Sequence, residues 1–298
     1  MPSRPSAPRI VQITDLHLFE HEHGQLDWHD DCREINTDRT LARVLDRIRA
    51  QEAHVDAIIV TGDIAQEPTV QTYRRFAWIM ASTGLPVFCL PGNHDDVPVM
   101  LAALATGEVS IAKHVILGGW LLLFLNSVDP GLPAGRIPET EMERAASLLR
   151  QYPDLPALLF LHHQPIAIGS AWIDRIGLAN RQELFARLAA FPQVQGAVFG
   201  HVHQAVDVVH GRLRMLGTPS TCVQFVSNRP DHAYDTFPPA YRSIDLYPDG
   251  TLGTEVVYVA TDALDFPRSS RTGSVQLSPS GDQLPATVVL AASAPSES

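Results

Sequence analysis

Five short motifs hold the residues that could do chemistry: Asp15-Leu16-His17, Gly62-Asp63, Gly92-Asn93-His94-Asp95, His162-His163 and Gly200-His201-Val202-His203. Their carboxylates, imidazoles and one side-chain amide are the donor types that hold divalent first-row cations. Together they supply enough ligands for two ions. Two cations ~3.5–4 Å apart can clamp the attacking and leaving oxygens of an in-line displacement at phosphorus. One ligand has to bridge such a pair, and a carboxylate has the two oxygens to do so. Asp63 is the candidate, placed at the tip of the second parallel strand between the Asp15 and Asn93 loops. Asp15 and His17 lie one residue apart on a segment read as extended, which points both to one side and lets them grip one ion together. His201 and His203 repeat that spacing and could each reach a different ion. The histidines at 21, 23, 29, 54, 114, 210 and 232 fall in no such pattern and receive no role.

Each motif follows an apolar run that reads as a buried strand. The runs are Ile10 to Thr14, Ala57 to Val60, Pro86 to Leu90, Ala157 to Leu161 and Ala197 to Phe199. Leu41, Val44, Leu45 and Ile48 recur at helical spacing, with Thr37 or Asp38 as the cap. A second helix is expected over Thr69 to Ser82, with Pro68 in its first turn. Strand, helix, strand, helix, strand implies a parallel βαβαβ unit. Such sheets carry their sites in loops at the carboxyl ends of the strands, where these motifs fall. Further on, 112–118 and 120–125 predict a hairpin turning at Gly118-Gly119, and helices are expected over Glu139 to Gln151 and Asn180 to Ala190. From 205 to 259 the pattern becomes hairpins, with turns at His210-Gly211 and Asp249-Gly250. The expectation is one domain of two sheets over residues 1–260, followed by a Ser- and Pro-rich tail, 261–298, that reads as flexible.

Of the 298 residues, 45% are apolar and 18% charged, an ordinary globular balance that can bury a core large enough to hold a rigid site. The net charge of −11 argues against a nucleic-acid polymer or an anionic membrane surface as partner, since affinity for polyanions comes from Lys and Arg. A small phosphate ester is admitted, because bound cations dominate the local field at a metal site. Cys32, Cys89 and Cys222 are odd in number and form no Cys-x-x-Cys pair, which fits a reducing compartment. Met1 to Pro8 has no apolar h-region. Apolar stretches such as Trp120 to Leu125 fall far short of the ~18 residues of a membrane span. A cytoplasmic protein, monomer or homodimer, acting on a small molecule is expected.

In this order the motifs resemble those of the calcineurin-like metallophosphoesterase superfamily, which reads Asp-x-His, Gly-Asp, Gly-Asn-His-Asp/Glu, His and Gly-His-x-His. The stretch Thr218-Pro219-Ser220-Thr221-Cys222-Val223-Gln224-Phe225, with Trp172-Ile173-Asp174 and Tyr241-Arg242, resembles the bacterial 3′,5′-cyclic AMP phosphodiesterase branch (CpdA type, class III). The resemblance covers residues 8–260 or so. It implies an α/β metallophosphoesterase fold: two mixed β-sheets in a sandwich flanked by helices, four layers αββα. It implies that Asp15, His17 and His203 hold one metal, that Asn93, His162 and His201 hold the other, and that Asp63 bridges. The double histidine leaves a one-residue register choice between His162 and His163, with His162 favoured as the ligand and His163 as a support or pocket residue. His94 matches a non-ligand histidine that contacts the scissile phosphate and assists the leaving oxygen.

The implied cofactors are two divalent ions, iron or manganese foremost, with zinc or cobalt as alternatives. The implied reaction is hydrolysis of a cyclic nucleotide to the 5′-nucleotide by a metal-bridging hydroxide, with His94 as general acid. Thr218, Ser220 and Thr221 are expected to join Asn93 and His94 on the substrate, with the 19–36 loop at the rim. The same chemistry on a glycerophosphodiester or a nucleotide-linked pyrophosphate is the neighbouring alternative. A non-catalytic scaffold predicts lost ligands, and no expected position is substituted.

Overall fold

The structure, a computed structural model, describes residues 7–22, 24, 35–52, 54–105, 107 and 109–260. In chain order the first elements are β1 (Arg9–Ile13), α1 (Thr37–Gln51), β2 (Ala57–Thr61), α2 (Val70–Ala81) and β3 (Val87–Leu90). Next come α3 (Val97–Leu104), β4 (Val109–Ser110), β5 (His114–Leu117), β6 (Trp120–Phe124), α4 (Glu139–Gln151) and β7 (Ala157–Leu161). They are followed by α5 (Ala171–Asp174), α6 (Arg181–Leu188), β8 (Val194–Phe199), β9 (Val206–His210) and β10 (Leu213–Gly217). The last are β11 (Gln224–Phe225), β12 (Tyr234–Asp235), β13 (Ala240–Leu246) and β14 (Leu252–Tyr258).

One mixed sheet has the order β14-β13-β1-β2-β3-β4 and the other β5-β6-β7-β8-β10-β9, while β11 and β12 pair by themselves. The central strands are apolar at nearly every position because both faces of each sheet are covered. Alternation then sorts the side chains into layers. On β7, Leu158 and Phe160 enter the core between the sheets, while Ala157, Leu159 and Leu161 pack outward with residues of α4 and α6. On β2, Ala57 and Ile59 face inward, while Ile58 and Val60 pack outward with residues of α1, α2 and α3. The result is the expected four-layer αββα sandwich. Among the described residues no helix is long and apolar enough to cross a membrane.

Three expectations shift at element ends. The cap of α1 is Asn36, whose side chain accepts from the Arg39 amide at 2.9 Å; Thr37 is already helical. In α2, Thr69 is the cap and Pro68 stands before it rather than inside the first turn. His210 ends β9 instead of turning, its ring lying against Phe185. The tail 261–298 and the stretch 25–34 of the 19–36 loop lie outside the described residues.

The core between the sheets turns polar toward the carboxyl ends of the strands. Two residues beyond Ile10, Ile59 and Leu216 on the same face come Gln12, Thr61 and Thr218, all fully buried. Gln12 donates to Thr61 at 2.7 Å, and the Thr218 hydroxyl donates to Gln12. Arg242, two residues before Ile244, reaches across from one sheet to the other. It donates to the Val206 and Gly217 carbonyls at 3.0 and 2.7 Å and to Thr218 and Thr254 at 3.1 Å each. Removing its head strands the buried Gly217 carbonyl, at about 1–3 kcal/mol, and the partly buried Val206 carbonyl, at less. Arg242→Met is therefore expected to lower the unfolding free energy by about 3 kcal/mol, read as a lower urea midpoint. An unchanged midpoint would show that the two sheets do not depend on this clamp.

Candidate metal centre

The ends of β1, β2, β3, β7 and β8 converge, and the five motifs meet there. The backbone that presents them is not extended. Asp15 (φ 54°), His17 (48°), Asp63 (49°), His201 (68°) and His203 (48°) are all left-handed, and Asn228 is the sole other non-glycine among the described residues with positive φ. The expected extended Asp15–His17 segment is thus corrected: both residues are left-handed instead. Asp and His tolerate this region better than most residues, yet it still costs each about 1 kcal/mol. The Asp15, His17 and Leu18 amides donate to the carbonyls of Gly62, Asp63 and Ile64, so the first two motifs run side by side. Gly92 and Gly200 permit the close approach: a Cβ on Gly92 would lie 2.3 Å from the Asp63 nitrogen, and one on Gly200 would lie 2.0 Å from Thr14 Oγ1.

Within this frame four trios of ligand atoms each fall within 4.8 Å of one another. They are Asp15, His17 and His203; Asp15, Asp63 and His162; His17, Asp63 and His94; and His162, His163 and His201. Asp63 presents Oδ2 to the Nε2 of His162 at 3.3 Å and of His17 at 3.9 Å, while its Oδ1 accepts from the His94 amide at 2.9 Å. Asp15 accepts twice from the His201 amide, at 3.2 and 3.0 Å, and lies 3.2 Å from His203 Nε2. Asn93 Oδ1 accepts from His162 Nε2 at 3.1 Å.

The histidines are oriented from behind. Nδ1 of His17 donates to Gln66 Oε1 at 3.1 Å, that of His162 to the Thr61 carbonyl at 2.8 Å and that of His203 to the Val223 carbonyl at 2.7 Å. Tying down Nδ1 fixes the tautomer and leaves Nε2 toward the centre. His163 is fully buried behind His162 and His201, with Nδ1 2.8 Å from Ser127 Oγ.

Charge follows from burial. Burial alone would push the Asp63 carboxyl up, but His162, His94 and His17 pull it well below the ordinary carboxylate range. Burial opposes Asp15 likewise, and His203 brings it down to about 2. Burial lowers His17 and His201 to about 3, reinforced by His94 and His162 respectively, so both rings are neutral. His162 goes the other way: burial disfavours its charge, but Asp63 and then Asp15 raise it to about 9. Both its nitrogens face acceptors, as an imidazolium requires.

The centre opens into a cavity of about 240 Å³. One wall is made by His17, Asp63, Asn93, His94, His201 and His203, and the other is largely apolar and aromatic. The structure corrects the expected substrate contacts: Thr218, Ser220 and Thr221 are fully buried beneath the site and do not line the cavity. The Thr218 and Ser220 hydroxyls and the Thr221 backbone serve the frame instead. Thr218 belongs to the Gln12–Arg242 layer, the Ser220 hydroxyl donates to the Asp15 carbonyl at 2.7 Å, and the Thr221 amide donates to the Thr14 carbonyl. His163 does not line the cavity either.

Sequence reasoning gave no role to Asp95, the last residue of the third motif. It accepts from the amides of Ile64, Ala65 and Gly92 and from the Tyr73 hydroxyl, at 2.8–3.2 Å, and so locks the second motif to the third. Four donors on one buried side chain call for an acceptor-only carboxylate.

The sequence profile of the calcineurin-like phosphoesterases matches residues 8–205. The chain belongs to that family. Among its relatives, a 3′,5′-cyclic adenosine monophosphate phosphodiesterase (CpdA) of Escherichia coli is 41% identical over 249 residues, 83% of this chain and 88% of the relative. A 3′,5′-cyclic-nucleotide phosphodiesterase of Nostoc sp. is 35% identical over 83% of this chain and 91% of the relative. The fold is shared with a dimetal phosphatase from Danio rerio, at a TM-score of 0.56 and 14% identity, over 86% of this chain and all of that one.

Calcineurin-like phosphoesterases bind divalent metal, and this donor set fits it. The Nε2 of His201 is buried without a hydrogen-bond partner, and the carboxylates and aligned imidazoles around it are suited to borderline cations. Metal taking the His162 Nε2 must displace its proton. Since His162 is raised to about 9, its proton is held below that pH and metal competes with it there. For the Mn²⁺ ion that takes His162, affinity is accordingly expected to rise about tenfold per pH unit toward pH 9, with close to one proton released on its uptake at pH 7. Calorimetry in buffers of different ionisation enthalpy reads that proton. Uptake without proton release would show His162 to be neutral in the metal-free protein.

Proposed function

We propose that this chain hydrolyses 3′,5′-cyclic AMP to 5′-AMP with two divalent ions, iron or manganese foremost. The observation that carries the reading is the extent of the 41% identity to a cyclic AMP phosphodiesterase, which spans most of both chains and hence the centre together with the walls around it. Asp15, His17 and His203 would hold one ion and Asn93, His162 and His201 the other. Asp63 belongs to trios on both sides of the centre, which supports a bridging role. His163, tied to Ser127 and off the cavity, is a support for the rings in front of it.

When bound, the ions supply Lewis-acid charge for the phosphate and a nucleophile at neutral pH. The chain's own residues do the rest. His94 is half-buried on the cavity wall, its amide anchored on Asp63 and its ring edge-on to His17 at 4.9 Å. From there it can hydrogen-bond a phosphate oxygen and pass a proton to the departing 3′ oxygen. The backbone bonds from His201 and His94 keep both carboxylates in place while charge moves nearby.

The domain extends past the matched 8–205 to about residue 260, a boundary supported by β13 and β14 adding to β1 in the first sheet. A cytoplasmic setting is in keeping with buried free thiols at Cys89 and Cys222.

Asp63→Ala is expected to reduce bound metal from two ions toward one or none and to lower cyclic AMP turnover at least a hundredfold or so. Retention of both ions and full turnover would remove Asp63 from the bridging position. His94→Gln should keep the metal content of the parent while kcat drops roughly 10²–10⁴-fold. If metal is lost along with turnover, His94 is a ligand or a structural residue and not the acid.

A further inference from the structure

The far wall of the cavity is an aromatic cluster with Phe225 at its hub. Trp172 meets Phe225 edge-on at 5.0 Å, His232 meets it at 4.9 Å, and Tyr234 lies at 5.9 Å. His232 also meets Trp172 and Tyr234 edge-on, at 4.7 and 4.6 Å. On the other side, Phe225 stacks on His203 with centroids 4.1 Å apart and planes 19° apart, so the cluster begins where the metal centre ends.

The local structure places these rings on purpose-built supports. Phe225 and Tyr234 are direct cross-strand partners on β11 and β12, which puts both side chains on one face of that small sheet. Trp172 sits on α5, whose preceding turn is held by Asp174 accepting from the amides of Ile168 and Gly169. The Ala171 amide donates to the Arg229 carbonyl and ties α5 to the loop that carries His232.

We infer that Trp172, Phe225, His232 and Tyr234 form a stacking subsite for the purine base of a nucleotide whose phosphate lies at the metal centre. Three observations separate this from an ordinary core cluster. All four rings line an open cavity rather than filling it. The candidate metal ligands line the opposite wall of the same cavity, so a ligand with its phosphate at the centre has these rings within its reach. The Trp172 indole N–H is buried with no hydrogen-bond partner, a polar cost that simple core packing does not explain. Aromatic faces hold bases through stacking, which tolerates any base, so this subsite selects nucleotides over base-free phosphodiesters more than adenine over guanine.

The inference rests on the proposed reaction for its choice of ligand, and the two can be tested apart. Manganese-loaded protein is titrated with 5′-AMP and with ribose 5-phosphate by calorimetry, and cyclic AMP turnover is measured on the same samples. Trp172→Ala is expected to weaken 5′-AMP roughly five- to a hundredfold and ribose 5-phosphate by no more than about twofold, with Trp172→Phe recovering part of the loss. In turnover the same change should fall mainly on KM. Tyr234→Ala, on the opposite support, should show the same preference for the base-bearing ligand. Equal losses on both ligands, or wild-type protein binding 5′-AMP no tighter than ribose 5-phosphate, would overturn the subsite even if cyclic AMP is hydrolysed. A base-dependent loss in a protein that leaves cyclic AMP intact would keep the subsite and sink the proposed reaction.

Discussion

Asp15 and Asp63 are buried side by side at the ends of adjacent strands, and their two negative charges set the terms for everything around them. Isolated carboxylates are very costly to bury, and burial in protein is tolerable only with paired charge and hydrogen bonds. The chain answers with backbone amides from His201 and His94, with an imidazolium at His162, and with neutral rings that present lone pairs rather than competing charge. That arrangement leaves more negative charge than one imidazolium offsets, and divalent cations complete it. The dry sandwich beneath strengthens each of these interactions, because fields are poorly screened away from water.

Much of this frame was legible from pattern alone. The apolar run Ala157 to Leu161 and the amphipathic stretch Glu139 to Gln151 are β7 and α4 to the residue, because full burial and a clean helical stripe leave little ambiguity. The short elements were not. β4, β11 and β12 have two residues each, too few to show a period, so the support for Phe225 and Tyr234 passed unread. α3 did carry a signal, Asp96 as cap and Pro98 in the first turn, but it hides behind the third motif.

At the site, residue type and order identified which side chains gather, but not how the backbone delivers them. An Asp-x-His spacing looks the same on an extended segment as on a left-handed one, and only the carbonyls it meets decide between them. Thr218, Ser220 and Thr221 misled for a related reason. Their polarity was read as exposure to substrate, whereas the Thr218 and Ser220 hydroxyls are taken up by the buried Gln12–Arg242 layer and the Asp15 carbonyl, and Thr221 is held through its backbone amide. Phe225, by contrast, was given no contact with substrate, and its ring lies against His203 and lines the cavity.

The left-handed backbone at Asp15, His17, Asp63, His201 and His203 sets folding against function. Each position holds a side chain where glycine would be less strained, and several bury an ionisable group as well. Replacing such a residue with glycine relieves the backbone and removes the polar burden together, so the metal-free protein could gain stability as it loses its centre. Selection for thermal resistance in the absence of metal would therefore erode these five positions first.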